Sequence, residues 1–297
     1  MKRVLLLVVI VCCFVLSFAQ QKNVTPKMEK ELTAEELYEK AFDYLNGENG
    51  ELIDTLKAFE FFEKSCNMGY APAQCEVAMR SDDDDVALSL LQKAIDQHYN
   101  YAYYIMFLTY RNGHKYRDTE KAISYLQKGA ELGDVTCQWL MGHGYFNGKD
   151  GLAQNGKLAE YWFGKAAAQN HDKAMTMLAY MYDEGKLVKR NIQKANELYR
   201  KAAELGNAEA AYNLAYSYLN GDGVDVDNER AFALMKSAAE IGYDAAQHEL
   251  GMMFANGIGC LKNKAAARYW LKLALKGSDK EVQERARINL KWLDENE

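Results

Sequence analysis

The chain has 297 residues, 49% of them apolar and 26% charged, with a formal net charge of −6. That balance is globular rather than disordered, and an acidic chain without basic clusters argues against nucleic acid or an anionic membrane surface as partner. Only Pro26 and Pro72 interrupt it, and with Leu, Ala, Glu and Lys abundant the expectation is all-α.

Residues 1–19 read as a signal peptide. Lys2 and Arg3 form a positive n-region, Val4 to Leu16 is an apolar run holding Cys12 and Cys13, and Ser17-Phe18-Ala19 supplies the small residues a signal peptidase reads. The run falls short of the roughly 20 residues that span a bilayer, so cleavage after Ala19 is expected, with no stable membrane insertion afterwards. The residues before the two cysteines, Val11 and Cys12, do not form a lipobox, and Asp294-Glu295-Asn296-Glu297 is no ER-retention signal. Losing the two charges of Lys2 and Arg3 takes the net charge from −6 to −8. The mature protein is expected in the periplasm or outside the cell.

Residues 20–32 are polar and aperiodic, a flexible leader. Thr33 and Glu36 then match a capping box at a helix start. Seven units follow over residues 33–277. The second helix of each unit carries an Ala, at Ala58, Ala87, Ala122, Ala159, Ala195, Ala231 and Ala266, and eleven residues after each stand Gly69, His98, Gly133, Asn170, Gly206, Gly242 and Gly277. Gly and Asn enter the left-handed conformation that closes a helix at least cost. The first helices carry Tyr44, Tyr110, Tyr145, Tyr182, Tyr218 and Phe254, each followed three residues on by a Gly that ends the helix. Small residues recur at facing positions: Gly142, Ala179, Ala215 and Gly251 on first helices, Ala166, Ala202 and Ala238 on second helices. A missing side chain at each crossing lets two backbones approach closely.

On these residues the chain resembles the Sel-1-like repeat family, a branch of the tetratricopeptide-like solenoids with the pattern A-x-x-x-L-G-x-x-Y-x-x-G-x-G-V, then K-A-x-x-W-x-x-K-A-A-x-x-G. Asn213 through Val224 and Lys194-Ala195 through Gly206 match it closely. The resemblance implies an all-α, right-handed superhelical α/α solenoid of about seven helix-turn-helix repeats, one continuous array in which each unit buries its apolar face only against its neighbours. Departures are visible. The second unit lacks about seven residues between Ala78 and Ala87 by comparison with its neighbours, so a truncated first helix is expected. Asp82 to Asp85 read as a solvated helix start rather than a calcium loop, which alternates its ligands. The third unit has Phe107 where a small residue belongs. After Gly277, residues 278–297 form a closing helix, with Ser278 and Glu281 as a capping box and Val282, Ala286, Leu290 and Leu293 as its apolar stripe.

No catalytic constellation stands out. The five histidines, His98, His114, His143, His171 and His248, lie in different units without metal-ligand spacing, and there is no Walker loop, dinucleotide fingerprint or nucleophile elbow. No metal or other cofactor is expected. Gly221-Asp222-Gly223 and Gly257-Ile258-Gly259 recur as turns between helices. A cysteine-rich branch of the family, to which β-lactam binding or hydrolysis is attributed, staples helices with cysteines eight apart. Cys66 and Cys75 are nine apart, which rotates Cys75 by about 100° on its helix. The pair remains a possible disulfide in an oxidising compartment, and Cys137 and Cys260 read as buried thiols.

Two columns of first-helix residues correspond to the concave lining of the solenoids the chain resembles: Tyr38, Tyr104, Trp139, Thr176, Tyr212 and His248, then Phe42, Leu108, His143, Tyr180, Tyr216 and Met252. Aromatic rings supply contact area at low entropic cost, which suits a groove built on Tyr104, Trp139, His143, Tyr180, Tyr212, Tyr216 and His248; packing between neighbouring helices suits the same rings equally. A third column, Asn46, Asn112, Asn147, Asn220 and Asn256, either pins a peptide backbone or ends helices. The resemblance implies a non-catalytic interaction scaffold holding a protein or peptide partner, with a β-lactam-binding or β-lactam-hydrolysing protein as the alternative.

Overall fold

The computed structural model describes residues 31–113 and 115–295, so the signal peptide, most of the leader, His114 and the last two residues lie outside the described residues. The described residues hold fifteen α-helices and no strand. The fold is an α-solenoid. The chain divides into two compact units after Val77.

In the first unit, α1 (Ala34–Asn46) packs against α2 (Thr55–Asn67). The capping box is present as read: Glu36 N–H donates to Thr33 Oγ1 at 3.1 Å, and Thr33 N–H to Glu36 Oε2 at 2.8 Å. Ser65, fully buried, donates its hydroxyl to the Ala34 carbonyl at 2.5 Å and ties the two helices together. The break between units falls within α3 (Ala71–Arg80), which has ten residues where its counterparts have twelve or thirteen.

In the second unit, α4 (Asp84–Asp96), α5 (Tyr101–Asn112), α6 (Thr119–Glu131), α7 (Val135–Asn147), α8 (Gly156–Ala168), α9 (Asp172–Glu184), α10 (Ile192–Glu204), α11 (Ala208–Asn220), α12 (Asn228–Ile241), α13 (Asp244–Asn256), α14 (Lys264–Ala274) and α15 (Lys280–Glu295) pack in succession, each helix from α4 to α14 against the one that follows it. The crossings are as close as the small residues imply. A Cβ on Gly142 of α7 would stand 2.5 Å from the Phe163 ring of α8, and one on Gly251 of α13 would stand 2.8 Å from Leu271 of α14. Ala179, Ala215, Ala166, Ala202 and Ala238 have no exposed surface. Phe107, the bulky exception, is buried against Ala122, Leu126 and Met141.

The second helix of every repeat starts the same way. Asp54, Asp83, Asp118, Asn155, Asn191, Asp227 and Asn263 each take a backbone N–H of the first turn on the side chain, a cap worth about 0.5–2 kcal/mol each time. Asp83 is the cap within the acidic run, and Asp84 and Asp85 bond Lys115 and Tyr116. That run is a helix start.

This cap column corrects the register of the last unit. The buried Ala stands four residues after each cap, which makes it Ala267, fully buried, rather than Ala266. Gly277 is accordingly one residue short of the left-handed position, which Gly69, His98, Gly133, Asn170, Gly206 and Gly242 occupy with positive φ and Gly277 does not. Its missing side chain serves Asp244 instead: a Cβ there would meet that carboxylate at 2.2 Å. Asp244 Oδ2 accepts the N–H groups of Ser278 at 2.6 Å and Asp279 at 3.1 Å. Ser278 is thus engaged by Asp244, and Asp279 caps α15 by accepting from Glu281 and Val282. Val282, Ala286 and Leu293 are buried as the stripe implies.

Candidate functional site

Residues four apart on a helix share a face, and the first helices present their paired columns in this way. On α7 the Trp139 and His143 rings stack with centroids 5.5 Å apart, and His171, at the start of α9, brings its ring to 5.9 Å from Trp139. On α11 Tyr212 and Tyr216 meet edge to face at 4.9 Å, and Tyr243, at the start of α13, meets Tyr212 at 5.3 Å. Tyr180 of α9 touches Phe146 at 6.4 Å, with the Lys186 ammonium 5.7 Å from its ring. Tyr104 lies against Tyr101 at 5.4 Å. Tyr104, Trp139, His143, Tyr180, Tyr212 and Tyr216 are all half-buried.

Two positions of the columns drop out. Thr176 is 2% exposed, and its hydroxyl donates to the Asp172 carbonyl. His248 is 3% exposed, so it is not an open groove residue. The closing helix α15 covers it: Asn289 sits 2.8 Å from Nε2, Glu249 sits 3.1 Å from Nδ1, and Arg285 holds Glu249 at 2.5 Å. His248 joins α13 to its cap. His171 and Tyr243 were missing from the sequence columns; both occupy the position just before a first helix, where Asp134 and Asn207 stand in neighbouring repeats.

Electrostatically the strip is neutral. Burial lowers His143 and His171 below the ordinary histidine range, and His171 Nδ1 accepts the Ala174 N–H at 3.1 Å, so that ring caps α9 in its neutral form. Burial raises Tyr212 and Tyr216, with the neighbouring phenol and Glu249 adding to Tyr216. Trp139 Nε1 is buried with no hydrogen-bond partner, which leaves a donor unsatisfied at a cost of about 1–3 kcal/mol.

The asparagine column ends helices at two of its positions: Asn147 donates to the His143 carbonyl and Asn256 to that of Met252, both at 3.0 Å. Cys66 and Cys75 are both buried thiols, so the structure holds no staple between them, and burial pushes Cys75 up to about 12. Cys137 is buried as read, whereas Cys260 is only half-buried, with its thiol 3.7 Å from the Met253 carbonyl. Among the described residues no group of His, Cys, Asp or Glu is placed to hold a metal ion, and no helix is long and apolar enough to cross a membrane.

A second polar cluster lies at the junction of α8, α9 and α10. The buried Tyr182 hydroxyl donates to Glu160 and accepts from Lys194, whose ammonium also stands 4.1 Å from the Tyr182 ring centroid. The arrangement recurs where Lys57 lies over Tyr44, Lys121 over Tyr110 and Arg230 over Tyr218. At four of the seven second-helix caps a cation three residues on covers the aromatic that closes the preceding helix.

The Sel1 repeat matches the chain seven times, at residues 44–70, 73–99, 98–134, 135–171, 172–207, 208–243 and 244–279. Among solved structures, a protective antigen of uropathogenic Escherichia coli with an SLR fold is 26% identical with a TM-score of 0.69, over 92% of this chain and 58% of that one. A Sel1 repeat protein from Oxalobacter formigenes is 25% identical with a TM-score of 0.69, over 89% of this chain and 77% of that one. The chain thus spans little more than half the length of the Escherichia coli antigen. No curated protein matches it. With seven repeats matched between residues 44 and 279, the chain belongs to the Sel1 repeat family, whose members generally act as protein-interaction scaffolds and are generally non-catalytic.

Proposed function

We propose that this chain is an exported, non-catalytic scaffold, periplasmic or extracellular, that holds a protein or peptide segment along the first-helix face of its central repeats. Trp139, His143, Tyr180, Tyr212 and Tyr216 are the anchors, with Tyr104 at one end. The observation that carries the reading is the unsatisfied Trp139 Nε1–H beside two neutral imidazoles. A peptide carbonyl is the acceptor such a donor lacks, and the contact requires the half-buried ring to turn its buried Nε1 toward the partner. Half-buried ring pairs on α7 and α11, with Tyr180 of α9 between them, add apolar contact, the composition of binding hot spots. Export rests on the n-region, apolar run and Ser17-Phe18-Ala19.

The experiment pairs a binding isotherm with a thermal melt for Trp139→Ala and Tyr216→Ala, using a partner captured from envelope extract. Anchors of this kind each cost about 2 kcal/mol or more on truncation, so affinity should fall by about thirtyfold while the melt barely moves. Binding lost only in proportion to unfolding makes these rings core and ends the groove reading. A nitrocefin assay on the same material tests the β-lactam alternative, and mass spectrometry of the N-terminus tests cleavage after Ala19.

A further inference from the structure

A separate surface, built from α8 and the start of α10, departs from the acidic character of the chain. Two adjoining cavities of about 560 and 610 Å³ open there and share Glu160, Tyr182 and Lys194 in their walls. Lys189 and Arg190 line the first, and Lys157 and Lys165 the second, with Tyr161 on its rim at 51% exposure. Five cations therefore surround two cavities whose only lining carboxylate, Glu160, is already engaged by Tyr182 and Lys194. Arg190 is partly spoken for by Asp183, whose carbonyl takes its Nε–H at 2.6 Å and whose carboxylate stands 3.9 Å from its guanidinium, so two carboxylates face the five cations. The local charge is positive on a protein whose sum is −6. They form two sequence groups, Lys157 and Lys165 on α8 and Lys189, Arg190 and Lys194 just before and on α10, which the stacking of one repeat on the next brings together across α9.

We infer that this surface is an interaction site for an acidic peptide segment of a protein partner. Charge complementarity sets the sign of the partner, and the spread of the cations sets its form. Lys157 and Lys165 are eight residues apart on α8, about 12 Å along the axis. That is too far to converge on one compact anion, and it equals the length of about four residues of extended chain at roughly 3.3 Å each. A segment with carboxylates every three or four residues meets one cation after another, while the exposed Tyr161 ring and the lysine stems take its apolar atoms. The site shares no residue with the first-helix strip, so either reading stands or falls alone.

The test is fluorescence anisotropy with a labelled glutamate-rich peptide, on the full mature chain. Lys157→Glu combined with Lys189→Glu should weaken binding by about tenfold or more, and added salt should weaken the wild type steeply. Lys93→Glu combined with Lys272→Glu changes net charge equally at exposed positions on α4 and α14, away from the cavities, and should have an effect of about twofold or less. Equal losses in the two double variants mean that the peptide senses only overall charge, and the assignment fails. It also fails if inorganic phosphate displaces the peptide beyond the effect of chloride at equal ionic strength, because the cations then converge on a single anion. Melts of both variants exclude unfolding as the cause: a loss that tracks a fallen melting temperature counts against the site, and a loss at unchanged melting temperature supports it.

Discussion

Gly142 and Gly164 lie in adjacent helices, and Gly→Ala at the two positions should act with opposite sign. Each substitution removes the helix-propensity cost of Gly, about 1 kcal/mol. At Gly164, on α8, a Cβ meets nothing within 4 Å, so the gain should be realised in full. At Gly142 the same Cβ falls 2.5, 2.8 and 2.9 Å from three carbons of the Phe163 ring. Carbon atoms rest about 3.5–4.0 Å apart, so the ring must retreat by about 1 Å, and it is fully buried among Ala159, Ala166 and Ala179. Overpacking of that kind costs about 1–3 kcal/mol. Offsetting the propensity gain leaves Gly142→Ala destabilising by about 0–2 kcal/mol, and places the two variants about 1–3 kcal/mol apart. Urea unfolding followed by circular dichroism reads both, with calorimetry to check cooperativity, since repeat arrays do not always unfold in two states. If Gly142→Ala proves as stabilising as Gly164→Ala, α7 and α8 do not approach at this depth and the close crossing is wrong.

Asn196, 3% exposed, accepts the Ser217 hydroxyl and donates to the Asp222 carbonyl, each at 2.7 Å. Asn196→Ala should cost about 1–3 kcal/mol by stranding both partners, and an unchanged urea midpoint would refute the buried pair. His171 and His143 are held neutral chiefly by burial, with folded-state pKa values below the unfolded one. The unfolded chain therefore takes up protons first as pH falls through about 6.5, and stability present above that pH is lost as pH drops toward the folded-state values. His171→Asn keeps a cap acceptor and should shrink the loss between about pH 7.5 and pH 5.5; an identical pH profile argues against the imidazole cap. Among the four cysteines of the described residues, half-buried Cys260 should be the first to react with Ellman's reagent in the native state, ahead of Cys66, Cys75 and Cys137. Only two titratable thiols after denaturation would restore the Cys66–Cys75 disulfide.

The repeat was legible in the sequence because it rests on local requirements that recur at a fixed period. A helix that must end on a left-handed residue selects Gly or Asn, and two helices that must touch select Ala or Gly, whatever lies elsewhere in the chain. Where local signals were ambiguous the register slipped: Ala265, Ala266 and Ala267 all suit the small position, and only the cap at Asn263 singles out Ala267. The candidate strip was legible by column for the same reason, down to the paired rings on α7 and α11. Contacts between distant residues were not. His248 has the column position of a groove residue, yet Asn289, 41 residues away, buries it. Gly277 copies the helix-ending habit, yet its place is set by the Asp244 carboxylate. Lys189, Arg190 and Lys194 are close in sequence, yet Lys157 and Lys165 lie on the far side of α9, and only the stacking of three helices gathers all five cations around two cavities. A one-dimensional pattern carries what each residue needs from its own helix and its nearest turn, while charge and burial depend on which helices stand beside it, and that is decided only when the repeats stack.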